Sequence, residues 1–251
     1  MHRRSNRLVV LGKTRSGKTT KAKHYTAWMR PRTRRLVIVN FKPELGELVQ
    51  KRYMIEDDED PSKALKKHRD IMFYVVAADP RPFLDKLAWS LLKFEHDIHL
   101  LVDEGHNAFD DGRLTDNTVK IFTQGAGLGI HTTVISQMLV GEHGRVSLIV
   151  LRQCNLMCAF QFTEQKELER FSQYVPELGH KVRHLAGMNL PRPGLPGEYV
   201  IKNFDTEETV VMARATNNPK RLVPVQLTEK KSHIGVLSFL AEDERKGSTS
   251  L

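Results

Sequence analysis

Eight consecutive residues, Gly12-Lys13-Thr14-Arg15-Ser16-Gly17-Lys18-Thr19, constrain the fold of this chain more than any other feature. They match the phosphate-binding P-loop pattern at every fixed position. The flanks supply the context that the pattern needs. Arg7 to Leu11 is a short apolar run that stops at Gly12, as a buried parallel strand would, and Lys18 to Met29 runs without a breaker until Pro31 closes a helix. A triphosphate needs many donors in a small concave space, and consecutive N–H groups opening into a helix N-terminus supply them. Gly12 and Gly17 let the main chain approach the phosphates without a Cβ in the way. Lys18 is expected to reach the β- and γ-phosphates and Thr19 to ligate magnesium, while Thr14, Arg15, Ser16 and Thr20 complete the expected nucleotide-binding set. The implied ligands are ATP and Mg2+.

Strands and helices then alternate. Leu36 to Asn40 reads as a second strand, with Lys42, Pro43 and Glu44 just beyond its C-terminal end. Ile71 to Val76 reads as a strand, Phe83 to Phe94 as an amphipathic helix, and Ile98 to Val102 as a strand that ends on Asp103 and Glu104. A helix is expected from Thr115 to about Gln124, capped by Thr115 or Thr118 and interrupted by Gly125, Gly127 and Gly129. Thr132 to Ser136 is a strand leading to Gln137, Ser147 to Arg152 a helix, Leu156 to Phe162 a strand and Thr163 to Tyr174 a helix. This order predicts an α/β fold with a mostly parallel sheet flanked by helices on both faces. Beyond Pro191 to Gly197, the runs Glu198 to Lys202 and Thr209 to Ala213 predict a C-terminal β-hairpin. Residues 1–217 are expected to form one nucleotide-binding domain and residues 218–251 a polar, basic tail or arm.

Ligands of open α/β sheets sit at the C-terminal ends of the strands, which places Asp103 and Glu104 beside the P-loop. Asp103 is the expected second magnesium ligand. Glu104 is the residue expected to orient and polarise an attacking water, an assignment for hydrolysis rather than transfer to a bound acceptor. Gln137, at the end of its strand, is expected to touch both the γ-phosphate and that water. Lys18, Glu104 and Gln137 thus form the catalytic set read from the residues themselves.

Composition excludes some classes and leaves others open. With 40% hydrophobic and 27% charged residues, the chain has enough apolar content to bury a core rather than remain disordered. No stretch reaches the roughly 18 to 20 apolar residues of a membrane-spanning helix, so a soluble protein is expected. Cys154 and Cys158 lie four apart in an apolar segment with no second pair, and are read as core thiols in a reducing compartment. The net charge is +9. Residues 1–35 hold twelve Lys or Arg and no acid, which leaves 27 basic against 30 acidic residues in the remainder. A nucleotide would neutralise Lys18; Arg3, Arg4, Arg7, Arg30, Arg32, Arg34 and Arg35 are left either for a polyanion or for solvent.

The run Val37-Ile38-Val39-Asn40-Phe41-Lys42-Pro43-Glu44, the Asp103-Glu104 pair, the stretch Gly127-Leu128-Gly129-Ile130-His131 leading to Ser136-Gln137, and the strand Asn155 to Phe162 together resemble the HerA/FtsK superfamily of P-loop NTPases, whose fold is RecA/FtsK-like. The resemblance covers about residues 7–214. At this length the chain is most similar to the genome-packaging ATPases of tailless, membrane-containing viruses. That resemblance implies a homo-oligomeric ring, hexamer or pentamer, which threads double-stranded DNA by hydrolysing ATP between neighbours. It further implies capsid-vertex or viral membrane proteins as partners, and a place in the host cytoplasm or at a virion vertex. A trans-acting arginine is expected in such a ring; Arg152 is the first candidate and Arg145 the second. His106 and Arg113 are candidates for a pore-facing phosphate contact. Two positions depart from the family pattern: Asn40 stands where Asp is usual, and Gln124-Gly125-Ala126 replaces the usual arginine before the sensor strand.

Other P-loop classes compete with this reading. A filamentous-phage-type assembly or export ATPase belongs to the same superfamily, but such proteins resemble membrane-anchored ones. A small-molecule kinase fits the chain length, yet Glu104 suits water activation and no arginine-rich lid is evident. A GTP-binding switch is disfavoured because no Asn-Lys-x-Asp motif is present.

Overall fold

A computed structural model describes residues 5–93, 97–110, 114–137, 139, 146–187 and 197–226. The strands among them are β1 (Arg7–Leu11), β2 (Arg35–Asn40), β3 (Lys51–Ile55), β4 (Asp70–Val75), β5 (Ile98–Val102), β6 (Ile130–Ser136), β7 (Leu156–Ala159), β8 (Tyr199–Asn203), β9 (Glu208–Ala215) and β10 (Asn218–Gln226). The helices are α1 (Lys18–Met29), α2 (Ser62–Lys67), α3 (Arg81–Lys93), α4 (Gly105–Ala108), α5 (Asp116–Thr123), α6 (Leu148–Gln153), α7 (Gln165–Ser172) and α8 (Gly179–Arg183).

All ten strands join one sheet in the order β10-β9-β8-β7-β1-β6-β5-β2-β4-β3. From β7 through β3 every neighbour pair is parallel; β8, β9 and β10 add on antiparallel. The α/β architecture, mostly parallel with a C-terminal antiparallel extension, is therefore as the sequence predicted. The extension has three strands where two were expected, and β10 occupies the first nine residues of the segment read as tail.

Period-two alternation sorts the central strands onto two faces. Val9 and Leu11 of β1, Ile98, Leu100 and Val102 of β5, and Ile130 and Val134 of β6 face a core with Phe83 and Leu87 of α3, Ile121 and Phe122 of α5, Leu151 of α6 and Phe171 of α7. Leu8 and Val10, Leu101 and Ile135 face the opposite core with Ala22, Tyr25 and Met29 of α1. Each fully buried aliphatic side chain contributes about 1.5–3 kcal/mol, so both faces hold the central strands in fixed register. Burial on two sides explains why β5 and β6 are buried at every position.

Cys154 and Cys158 are both free and buried, as expected of core thiols. Burial pushes the Cys154 thiol up to about 12. Thr115 caps α5 through a reciprocal hydrogen-bond box with Thr118, so both cap candidates take part. The strand expected to run to Phe162 is regular only to Ala159, and the next residues stay bonded to the P-loop: Phe160 N–H donates to Leu11 O at 2.8 Å and Lys13 N–H to Gln161 O at 3.1 Å.

Candidate active site

The strand order dictates where the site lies. β6 sits between β1 and β5, and β2 flanks β5. At about 4.8 Å per strand, the P-loop after β1 and the acids after β5 are held about 10 Å apart, with the end of β6 between them. Register makes the placement specific: Leu11 is opposite Ser136, and Val102 is opposite both Val134 and Val39. Four adjacent strand tips therefore present Gly12 to Thr19, Gln137, Asp103 with Glu104, and Lys42 with Glu44.

These tips enclose a cleft of about 280 Å³ lined by Thr14 to Thr20, Lys42, Glu44, Asp103, Glu104 and Gln137. The sequence-predicted residues Thr14, Arg15, Ser16, Gly17, Lys18, Thr19, Thr20, Asp103, Glu104 and Gln137 are thus brought together. Gly12 lies beneath them at φ +140°, where a Cβ would stand 2.6 Å from Phe160 Cβ. Gly17, at φ +104°, starts α1 with no side-chain cap and no acid in the first turn. The N–H groups and positive dipole end of α1 are left facing the cleft, the arrangement that suits an anion. Lys18 Nζ donates to Lys13 O at 2.7 Å, folded back over its own loop. Burial holds its pKa down at about 8, partly offset by Glu104 and Asp103.

The loop is braced from a distant part of the chain. Gly197 N–H, just before β8, donates to Ser16 O at 2.9 Å. Ser16 itself is 1% exposed and its Oγ has no hydrogen-bond partner.

Across the cleft, Asp103 and Glu104 are 3% and 4% exposed. Asp103 N–H continues the ladder to Val39 O at 3.0 Å, and its Oδ1 accepts the Glu104 N–H at 3.0 Å. Burial raises the Asp103 pKa to about 6, and the neighbouring Glu104 adds to the rise. Glu104 adopts φ 50°, ψ 51°, a left-handed conformation that costs a non-glycine residue about 1–2 kcal/mol and turns its carboxylate back into the cleft. Its Oε1 accepts from Lys42 Nζ and from Gln137 Nε2. Its Oε2 is buried without a hydrogen bond, and His106 Nδ1 lies 3.4 Å away. Gln137 bridges the cleft, since its Oε1 accepts from Thr14 Oγ1 at 2.6 Å.

Lys42 and Glu44 line the cleft, although sequence reasoning had placed them only just beyond the C-terminal end of the second strand. Asn40 explains how. Its side-chain Nδ2 donates to Glu44 O and its Oδ1 accepts from Lys42 N at 3.1 Å, so one buried amide shapes the turn that aims both side chains at the P-loop. An aspartate at position 40 could accept the second bond but not donate the first. Glu44 Oε2 accepts from Thr19 Oγ1 at 3.3 Å, and Lys42 is raised, its burial outweighed by Glu104.

His106, a candidate for a pore contact, instead lies on the cleft wall. Its Nδ1 is 3.3 Å from Ser136 Oγ, and burial lowers its pKa, with Glu104 acting the other way. Arg152 is exposed on α6, shortly before β7 begins opposite Leu8, at the end of the sheet remote from the cleft. Arg113 and Arg145 lie outside the described residues.

The donor set fits a nucleoside triphosphate with a hard divalent cation. One hydroxyl (Thr19) and one carboxylate (Asp103) share a cleft with a lysine and a helix N-terminus, as magnesium held jointly by protein, phosphate and water requires.

No protein-family model and no curated protein matches this chain. Solved structures do. The chain is similar to the genome packaging NTPase B204 of Sulfolobus turreted icosahedral virus 2 in complex with AMP, with TM-score 0.64 and 18% identity over 82% of this chain and 96% of that one. The same protein in complex with ATP-gammaS gives TM-score 0.64 at 19% identity over 82% and 96%. The DNA-packaging ATPase B204 of Sulfolobus turreted icosahedral virus gives 0.60 at 16% over 81% and 95%. At such identities the likeness is one of fold, and it spans nearly the whole of each neighbour.

Proposed function

We propose that this chain, which has the fold of the viral packaging NTPases, is an ATP-driven double-stranded DNA translocase of the HerA/FtsK superfamily that packages a viral genome into a preformed capsid. The observation that carries the reading is the convergence of Lys18, Thr19, Asp103, Glu104 and Gln137 on one cleft. The neighbours named above, described as packaging NTPases, support the cellular role.

Thr19 and Asp103 would hold a magnesium ion, which would supply charge neutralisation for a bound triphosphate. Lys18 moves from Lys13 O onto the phosphates, exchanging one acceptor for a charged one. Glu104 Oε2, buried and without a hydrogen bond, is the free acceptor that orients the attacking water and takes its proton. Lys42 and Gln137 fix the other carboxylate oxygen, so that Oε2 points to one place. Gln137 shares Thr14 with the P-loop and registers whether the γ-phosphate is present.

In this reading residues 1–217 together with β10, which extends their sheet, are the motor, and the arm is the segment after Gln226. Subunits form a hexameric or pentameric ring with Arg152 entering a neighbour's cleft, working in the host cytoplasm or at a capsid vertex alongside vertex or membrane proteins. No helix among the described residues is long and apolar enough to cross a membrane.

The test is steady-state ATP hydrolysis with and without duplex DNA, alongside particle mass with an ATP analogue. Stimulation by DNA, abolition by Lys18→Ala or Glu104→Gln, and a closed ring are expected; in mixed rings Arg152→Ala should silence the neighbour's site. Hydrolysis indifferent to DNA in an assembled ring would sink the translocase reading.

A further inference from the structure

The excess positive charge of the first 35 residues does not all gather at the nucleotide. Arg32 and Arg34 are exposed on the turn from α1 into β2, at the N-terminal tips of the strands and hence at the end of the sheet opposite the cleft. The tip of β4 lies beside them, because Leu36 is in register with Asp70, and it brings exposed Arg69 and, from the end of α2, exposed Lys67. Lys51, also exposed, opens the edge strand β3 opposite Ile71 and extends the row.

Hydrogen bonds tie this row together. Arg69 Nη2 donates to Thr33 O at 3.3 Å and its Nε to Arg34 O. Arg32 stacks on Trp28 at 4.1 Å and donates to Trp28 O at 2.6 Å. These guanidinium groups are held by carbonyls, not by carboxylates, so their charge is positioned yet uncompensated. Two acids are near. Asp70 is engaged by Arg30 and by Leu36 N–H, and Asp97 lies 3.9 Å from Arg34. Among the described residues, no carboxylate pairs with Arg32, Lys51, Lys67 or Arg69, which leaves these four exposed cations as the row. His68, set among them, is lowered by desolvation and then by Lys67 and Lys51, which agrees with a positive local potential.

We propose that this row is a docking surface for the phosphate backbone of duplex DNA, on the side of the subunit remote from hydrolysis; the inference rests on the translocase reading. The cations are spread over and beside three adjacent strand tips, β2, β4 and β3, so the surface offers an extended row and not a point charge. Planar arginine forks match phosphate oxygens bidentately. An anionic membrane or a protein partner would be expected to engage an apolar anchor as well. Among the described residues the exposed large hydrophobics are Met54, Val76, Trp89 and Val225, and none belongs to the row. A contact made here holds DNA without touching the P-loop, and its strength falls as salt rises.

The experiment uses the full chain with an ATP analogue and a fluorescent 30-base-pair duplex, about that length being ample for several phosphate contacts. Anisotropy titrations at several salt concentrations compare wild type with Arg32→Gln/Lys51→Gln/Lys67→Gln and with a charge-matched control at exposed positions elsewhere, Lys166→Gln/Lys181→Gln/Lys220→Gln. Each phosphate contact contributes about 0.9 to the slope of log affinity against log salt, so the row variant is expected to be shallower by about 2–3 and at least about tenfold weaker near 0.1 M salt. Basal ATP hydrolysis should be unchanged, and single Lys67→Gln should show about a third of the slope change. Equal loss in the two triple variants would overturn the proposal, as would an unaltered slope in the row variant. Loss of binding to phosphatidylserine vesicles with intact duplex affinity would assign the row to a membrane instead. Failure of wild type to bind duplex at all would remove the translocase reading together with this one.

Discussion

Gly197 lies far from the P-loop in sequence, yet it should control nucleotide affinity. A Cβ added there would stand 2.7 Å from Ser16 O, 2.8 Å from Ala186 O and 3.0 Å from the carbonyl carbon of Gly187. All three obstacles are backbone, so no side chain can rotate away. Overpacking of this kind costs about 1–3 kcal/mol. The softest of the surroundings is the loop itself, which already holds Arg15 at φ 59° and Gly17 at φ 104°, so relief comes by moving Ser16. The 2.9 Å bond from Gly197 N–H to Ser16 O then lengthens as well. If binding must restore the native loop, Gly197→Ala loses that 1–3 kcal/mol from nucleotide affinity, about 5- to 150-fold. Titration with a fluorescent ATP analogue measures it, and thermal melting confirms that the variant is folded. Gly127→Ala is the matched control, since a Cβ there meets nothing within 4 Å. A folded Gly197→Ala protein whose affinity stays within about twofold of wild type would show that this brace does not shape the loop.

Two further perturbations address chemistry and stability. Lys42→Ala should lower kcat by about tenfold or more, the equivalent of one charge-assisted bond to Glu104, with little change in KM for ATP, and Lys42→Arg should restore part of it; a pure KM effect in steady-state assays would instead make Lys42 a phosphate ligand. His99 is buried, its Nε2 2.9 Å from Thr133 Oγ1, and burial depresses its pKa from the usual 6.5 to about 3. Since protonation favours the unfolded chain, its stabilising contribution is complete above about pH 6.5 and is lost as pH falls toward 3, about 2 kcal/mol between pH 7 and pH 5. In urea denaturation His99→Gln should lose about 2 kcal/mol less than wild type over that interval, and parallel pH profiles would contradict the assignment.

How much was legible in the sequence follows from burial. β1, β2, β5 and β6 are buried on both faces and read as continuous apolar runs, so their tips, and with them Lys18, Asp103, Glu104 and Gln137, could be placed from the residues. The edges could not be read in this way. β3, Lys-Arg-Tyr-Met-Ile, is exposed at Lys51, Arg52 and Met54, and β10 carries Lys220, Arg221 and Pro224; charge and proline of this kind keep sheet edges from pairing with other chains, and they also hide the strands from a search for apolar runs. Lys42 and Glu44 were visible just past the end of β2, but their aim depends on Asn40, whose two side-chain bonds are not a feature of periodicity. The Gly197 brace had no local signal, because a glycine required for space alone, with no positive φ, looks like any other glycine before a strand.

The strand order also explains why the middle position had to be an amide. Because β6 separates β1 from β5, no P-loop side chain is opposite Glu104, and whatever joins them must come from residue 137. That residue must accept from Thr14 Oγ1 and donate to Glu104 Oε1 at once. A glutamate could not donate to a second carboxylate, and a serine or threonine would be too short for a tip flanked at about 4.8 Å by a strand on either side. Gln137 meets both demands with a single planar group, so a shift of the P-loop at Thr14 reorients the same amide that holds Glu104. Loop position and the aim of the Glu104 carboxylate are thus joined through one side chain.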